Sequence, residues 1–86
     1  MAKYRIEFSA TAERQIAKLG KPDQLRILRR IRDLAADPHP PGTRKLQGYA
    51  DVFRIRVGTY RVLYSVESAR LVIVVLKVGQ RKDVYR

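Results

Sequence analysis

The chain has 86 residues, of which 19 are lysine or arginine and 8 are aspartate or glutamate, so its formal net charge is +11. This length accommodates a single domain, residues 1–86, and the hydrophobic fraction of 45% favours a packed core over a disordered chain. The absence of cysteine excludes disulfides and thiolate chemistry and fits a cytoplasmic protein, whereas the charge indicates a polyanionic partner: nucleic acid, an acidic protein or an anionic membrane surface.

The first half of the chain predicts one strand followed by two helices. Residues Tyr4–Phe8 alternate apolar and charged side chains, which is typical of a short strand with one buried face. Apolar residues then recur at helical spacing in two segments separated by Gly20, which we expect to end the first helix. The second helix is expected to begin at Pro22 and to end at Asp37-Pro38. Its apolar stripe consists of Ile27, Ile31 and Leu34.

The second half of the chain predicts three strands. The β-rich segments are Val52–Val57, Tyr60–Val66 and Leu71–Val78. Short turns separate them, so they form an antiparallel meander. Both helices must bury their apolar faces, and one face of the sheet is the available surface. The sequence therefore predicts an α+β domain of order β-α-α-β-β-β, in which a two-helix hairpin packs on one face of a small, mainly antiparallel sheet.

Three arginines fall on one face of the predicted hairpin. A two-residue turn at Gly58-Thr59 places Arg56 opposite Arg61 and Arg54 opposite Leu63, and opposed residues share a face. Like charges directly opposite each other destabilise a sheet by roughly a few tenths of a kcal/mol. A functional role is one reason why a sequence would retain such a pair. The guanidinium fork matches phosphate bidentately, which favours a phosphate group as the ligand. The alternative interpretation is a solvated outer face.

Four further basic residues are candidate RNA contacts. Arg44 and Lys45 precede the hairpin and either extend the basic surface or belong to a solvated loop. Lys77 is the polar residue of the last predicted strand and is either an RNA contact or a solvated strand end. Lys82 lies in the basic C-terminal segment.

Composition also limits the chemistry. A metal-dependent nuclease needs clustered carboxylates, and the eight acidic residues are scattered through the sequence. His39 is the only histidine, which excludes a two-histidine ribonuclease. We therefore expect no metal and no cofactor. What remains is catalysis by positioning and by stabilisation of charge, for which a permanently protonated arginine is suited.

Two segments resemble toxins of the RelE/ParE superfamily from type II toxin–antitoxin systems, in particular the RelE-like branch. They are Phe53–Tyr64 and Val78–Tyr85, and the opening strand and Lys45–Gly48 match as well. The resemblance spans nearly the whole chain. It implies an enzyme that cleaves messenger RNA in the ribosomal A site without metal, by attack of a 2′-hydroxyl on the adjacent phosphate, and that inhibits translation. It also implies a cognate acidic antitoxin that neutralises the toxin in a hetero-oligomeric complex.

The resemblance assigns roles to individual positions. Arg61 and Arg81 fall where the family holds the scissile phosphate and stabilises the transition state. Tyr85 falls where a tyrosine stacks on or orients the substrate base and assists proton transfer. Arg54 and Arg56 fall where other members carry lysines. Because arginine does not titrate in proteins, these two positions are expected to stabilise charge rather than to move a proton.

Two other functions are compatible with the sequence. One is a ParE-like inhibitor of DNA gyrase, which has the same fold and no nuclease activity. The other is a simple RNA-binding module, for which charge alone suffices. ParE-type chains generally lack the combined set of arginines and tyrosine, so the sequence favours the RelE-like ribonuclease.

Overall fold

A computed structural model describes residues 3–80. The elements are β1 (Arg5–Phe8), α1 (Ala10–Ala17), α2 (Lys21–Leu34), β2 (Arg44–Lys45), β3 (Val52–Val57), β4 (Tyr60–Glu67) and β5 (Val72–Gln80). The five strands form one sheet in the order β1-β5-β4-β3-β2, in which β1 runs parallel to β5 and every other pair is antiparallel. The α+β prediction is therefore confirmed, with one addition: the two-residue strand β2.

The helix ends differ from the prediction at Gly20. Helix α1 already ends at Ala17, and Gly20 is instead the N-cap of α2, with an extended backbone at φ −64° and ψ 155°. A glycine that stops a helix usually adopts a left-handed conformation, which Gly20 does not. Pro22 lies in the first turn of α2, as predicted, and the helix ends at Leu34, ahead of the expected Asp37.

Helix α1 takes the place of a strand beside the second half of β5. Strand β1 pairs with β5 only as far as Phe8, opposite Val75. Beyond that point the Ser9 hydroxyl donates to the carbonyl of Leu76 at 2.8 Å and accepts from the amide of Ala12, which caps α1. The carboxamide oxygen of Gln15 accepts the amide proton of Val78 at 2.7 Å. These side chains satisfy backbone groups that would otherwise be an open sheet edge.

Both helices cover the same face of the sheet. The predicted stripe of α2 is confirmed, because Ile27, Ile31 and Leu34 are at most 1% exposed. The strand residues that meet the helices alternate along β3 and β4, whereas in β5 a register shift separates the last two by three positions. They are Ile55, Val57, Val62, Tyr64, Val66, Ile73, Val75 and Val78. Within residues 3–80, neither helix has the length and apolarity needed to cross a membrane.

Tyr64 links the sheet to the loop that follows α2. Its side chain is fully buried, and its hydroxyl donates to the carbonyl of Pro38 at 2.7 Å. Burial raises the pKa of Tyr64 above the ordinary value of 10.0. The folded protein therefore holds the hydroxyl proton of Tyr64 more tightly than the unfolded chain does. The contribution of this group to the free energy of unfolding is fully present below pH 10 and is lost as the pH rises through the pKa of the folded state.

The Tyr64→Phe variant is expected to lower the free energy of unfolding by about 1–2 kcal/mol at pH 7, because the Pro38 carbonyl loses its donor. Urea unfolding at pH 7 and at a series of alkaline values measures both effects. Above pH 10 the stability of the wild type should fall more steeply than that of the variant. Equal stability at pH 7, or parallel alkaline profiles, would contradict the role of this hydroxyl.

Candidate functional site

The hairpin of β3 and β4 has the predicted register. Gly58 adopts a left-handed backbone (φ 62°) in the two-residue turn, and Val57 pairs with Tyr60. Arg56 therefore lies opposite Arg61. Because the alternate residues of both strands pack against the helices, these arginines project from the other side of the sheet. We call that side the arginine face.

The three predicted arginines differ in exposure. Arg61 is only 6% exposed, Arg54 is half-buried and Arg56 is exposed. Arg54 and Arg61 each have an interaction partner, as a charge removed from water requires. A buried arginine is not expected on a merely solvated outer face, because such a face leaves its charges in water. This gradation favours a built site over the solvated-face interpretation.

Pairing across the sheet arranges the basic residues of the arginine face in two rows. The first row contains Arg56, Arg61 and Gly79. The second row contains Arg44, Arg54, Leu63 and Lys77. Neighbouring strands lie about 5 Å apart, so the rows form a compact basic surface. Arg44 and Lys77, which the sequence left as either RNA contacts or solvated residues, lie on this surface.

Strand β2 places Arg44 and Lys45 on opposite faces of the sheet. Arg44 pairs with Arg54 and joins the second row, whereas Lys45 pairs with Phe53, which packs on the helix side. Lys45 is thus exposed at the sheet edge but does not share the arginine face. His39 also lies on the helix side, where its ring meets the edge of Phe53 at a centroid distance of 4.6 Å.

The strand carboxylates on the arginine face form ion pairs with arginines outside the two rows. Within the strands, Glu7 and Glu67 share this face, and each is ion paired with a nearby arginine: Arg5 at 2.9 Å and Arg70 at 2.8 Å. Neither lies in the two rows. In residues 3–80 no group of three or more histidine, aspartate or glutamate side chains is placed to hold a metal ion.

An open pocket of about 370 Å³ lies at the tip of the hairpin. Its lining residues are Arg56, Gly58, Thr59, Tyr60, Arg61 and Gln80. This volume is within the range of small-ligand sites. Tyr60 packs against the core and also lines this pocket beside Gln80, a pairing that depends on a register shift between β4 and β5 at Leu63/Tyr64. The residues around this position give no local signal from which that shift could be predicted.

Tyr60 is held in its neutral form. Its hydroxyl donates to a carboxylate oxygen of Asp23 at 3.0 Å, and this hydrogen bond is the main reason that the pKa of Tyr60 is raised above 10.0. A tyrosine with a raised pKa does not serve as a base near neutral pH. The pocket therefore supplies cationic donors from arginine but no base from Tyr60.

Comparison with known proteins identifies the family. The family model of the ParE toxin of type II toxin–antitoxin systems matches residues 6–85. The chain belongs to the RelE/ParE superfamily of type II toxins. This RelE/ParE toxin is 34% identical over 88 residues to toxin RelG of Mycobacterium tuberculosis, a match that covers 96% of this chain and 97% of RelG.

Solved structures of RelE-type toxins have the same fold as this chain. The archaeal RelE–RelB complex from Pyrococcus horikoshii contains a chain that is 32% identical, with a TM-score of 0.82 and coverage of 96% of this chain and 99% of that one. The RelBE2 toxin–antitoxin complex of Mycobacterium tuberculosis contains one that is 30% identical, with a TM-score of 0.83 and coverage of 96% and 97%. The resemblance to RelE-like toxins is thereby confirmed.

The structure describes only part of the predicted site of this RelE/ParE toxin. It brings Arg44, Arg54, Arg56, Arg61 and Lys77 onto one face. The predicted residues Arg81, Lys82 and Tyr85 lie outside the described residues. Their roles remain predictions.

Proposed function

We propose that the chain is a ribosome-dependent endoribonuclease that cleaves messenger RNA in the A site without metal and thereby inhibits translation in the cytoplasm. The observation that carries the proposal is the placement of buried Arg61 directly opposite Arg56, beside an open pocket. Opposed residues on neighbouring strands have Cβ atoms about 5 Å apart, close enough for both guanidinium groups to contact one phosphate. The RelE relatives support the same assignment.

Charge stabilisation is the chemistry that these arginines supply. Attack of the 2′-hydroxyl on the adjacent phosphorus forms a pentavalent phosphorane with additional negative charge, and the 5′-oxygen then leaves. The products are a 2′,3′-cyclic phosphate and a 5′-hydroxyl end. Arginine remains protonated throughout, so Arg61 and Arg56 stabilise the phosphorane without exchanging a proton. Arg54, Arg44 and Lys77 in the second row bind flanking phosphates.

Proton transfer requires a residue other than arginine. We assign to Tyr85 the stacking or orientation of the base and assistance with the proton, and to Arg81 a second contact with the scissile phosphate. Lys82 and Lys45 are assigned to peripheral RNA contacts. The assignments of Arg81, Lys82 and Tyr85 rest on the motif Val78–Tyr85, which resembles RelE-like toxins, and that of Lys45 rests on its position just ahead of the hairpin.

A cognate acidic antitoxin is the proposed protein partner. The net charge of +11 and the concentration of arginine on one face favour a partner of opposite charge, with association that weakens at high salt. The two solved relatives described above are toxin–antitoxin complexes, which supports a hetero-oligomeric complex for this toxin as well.

Attack by the 2′-hydroxyl is tested with an mRNA that carries a single 2′-deoxynucleotide immediately 5′ of the scissile phosphate. On programmed ribosomes, we expect cleavage of that bond to disappear, because the nucleophile is missing. A matched mRNA with the 2′-deoxynucleotide three positions upstream should be cleaved normally and yield a 2′,3′-cyclic phosphate. Cleavage through the 2′-deoxy position would show that water is the nucleophile and would overturn the mechanism.

A ParE-like inhibitor of DNA gyrase is the second candidate, and the match to the ParE toxin model favours it. Against it, a protein-binding poison has no need for opposed arginines beside an open pocket. A simple RNA-binding module would use the same basic face without cleavage. The three candidates predict different fates for mRNA and for gyrase–DNA complexes, so they are distinguishable by experiment.

A further inference from the structure

The tip of the arginine hairpin is fastened to the first turns of α2. Asp23 accepts the hydroxyl proton of Tyr60 at 3.0 Å, across 37 positions of sequence. Arg26 lies beside Gly58 in the turn, where a Cβ atom would approach Nη1 of Arg26 to 2.9 Å. Asp23 and Arg26 are three residues apart and so lie on the same side of the helix. The helix thus presents one acidic and one basic side chain to the hairpin tip.

Tyr60 connects this helix to β5 as well. It pairs with Gln80 across the strands, and the Gln80 side chain partly offsets the rise in the pKa of Tyr60. A tyrosine hydroxyl has one proton, and here Asp23 accepts it.

The position of Tyr60 in the sequence gives this contact its consequence. Tyr60 directly precedes Arg61, and successive side chains of a strand point to opposite faces. Fixing the ring of Tyr60 on the helix side therefore fixes the direction in which the Arg61 side chain projects from the arginine face. Gln80 likewise directly precedes Arg81 in the sequence.

Global stability does not explain the contact well. Tyr60 and Asp23 are both half-buried at the rim of the molecule rather than in the core. Helix α2 is already anchored by Ile27, Ile31 and Leu34, which are almost completely buried. Removing the hydroxyl of Tyr60 is thus expected to loosen the hairpin tip more than the whole domain.

We propose that Asp23 and Tyr60 are positioning residues, which hold the hairpin tip against α2 so that Arg61 meets the RNA phosphate in one orientation. Asp23 acts through Tyr60, and Tyr60 acts through Arg61. The consequence for catalysis rests on the proposed ribonuclease function. The effect on the hairpin tip itself does not.

The test compares Tyr60→Phe, Asp23→Ala and the double variant with Tyr64→Phe as the matched control. Tyr64 is in the same strand and on the same side, but its hydroxyl bonds to the Pro38 carbonyl instead of the helix. On programmed ribosomes, kcat should fall about tenfold to a hundredfold in Tyr60→Phe and in Asp23→Ala, with KM changed little, because Arg61 is misplaced rather than removed. The double variant should be no slower than the slower single variant, since both remove the same hydrogen bond.

Two variants guard against a purely structural explanation. Asp23→Asn retains an acceptor oxygen and should keep kcat within about threefold of the wild type, a smaller loss than that of Asp23→Ala. Tyr64→Phe should keep the wild-type kcat well below its unfolding temperature. Equal losses of kcat in Tyr60→Phe and Tyr64→Phe, or a wild-type kcat in Tyr60→Phe, would overturn the inference.

A second measurement does not depend on activity. Amide hydrogen exchange at Gly58–Arg61 and the Nε–Hε NMR signal of Arg61 report the order of the hairpin tip directly. Tyr60→Phe and Asp23→Ala should accelerate exchange there and broaden or shift that signal, whereas Tyr64→Phe should not. If the wild type is inactive on ribosomes while the tip responds in this way, the ribonuclease proposal fails and the positioning role stands. An unchanged tip in both variants overturns the positioning role whatever the activity.

Discussion

Replacing Arg61 with alanine is expected to lower the rate of A-site cleavage by about 10²- to 10³-fold, the usual loss when one preorganised donor to a transition state is removed. Arg61 is 6% exposed and lies opposite Arg56, so its guanidinium is held in place and is poorly screened by solvent. Arg61→Lys should recover only part of the rate, because an ammonium group keeps the charge but loses the bidentate fork.

Arg70→Ala is the matched control for Arg61→Ala. It removes the same side chain and the same charge, but Arg70 is exposed, lies in the turn between β4 and β5 and pairs with Glu67 at 2.8 Å. Cleavage by Arg70→Ala should remain within about twofold of the wild type, since exposed ion pairs contribute little. Circular dichroism of both variants confirms that they are folded. Equal cleavage by the two variants would contradict the role of Arg61.

The largest loss of stability is expected for Ile27→Ala. Ile27 is completely buried in the stripe of α2 that covers the sheet, and truncating such a residue costs about 2–5 kcal/mol. Small domains have a total free energy of unfolding of about 5–15 kcal/mol, so this variant should lose a large part of its stability. Urea denaturation should show a clearly lower midpoint.

The neighbouring Leu28→Ala variant separates burial from helix propensity. Leu28 follows Ile27 in the same helix but is 39% exposed, and replacing it should change the free energy of unfolding by about 0.5 kcal/mol or less. Equal losses in the two variants would show that the helix does not bury the predicted stripe.

The hairpin was predictable because its signals are local. Alternation of side chains has a period of two, and a two-residue turn leaves one register for the pairing of Arg56 with Arg61. The stripe of α2 was predictable for a similar reason, because Ile27, Ile31 and Leu34 repeat with the helical period. These two patterns were sufficient to predict which face of the sheet is apolar and which carries the arginines.

The remaining features depend on partners that are distant in sequence. Strand β2 has two residues, too few for any periodic signal, and only its pairing with β3 shows that Arg44 joins the arginine face while Lys45 does not. The contact between Asp23 and Tyr60 joins a helix to the start of β4, 37 residues later, and neither residue carries a local motif for it. The placement of Lys77 in the second row depends on the register shift between β4 and β5.

The most direct test of the ribonuclease proposal is to map mRNA ends after the purified toxin is added to programmed ribosomes, with Arg61→Ala beside it. We predict breaks within the A-site codon that require the ribosome, leave a 5′-hydroxyl end and are strongly reduced in the variant. Intact mRNA, together with stalled gyrase–DNA complexes in a parallel reaction with gyrase, would contradict the proposal and favour the ParE-like function. Binding of RNA with neither outcome would reduce the protein to an RNA-binding module.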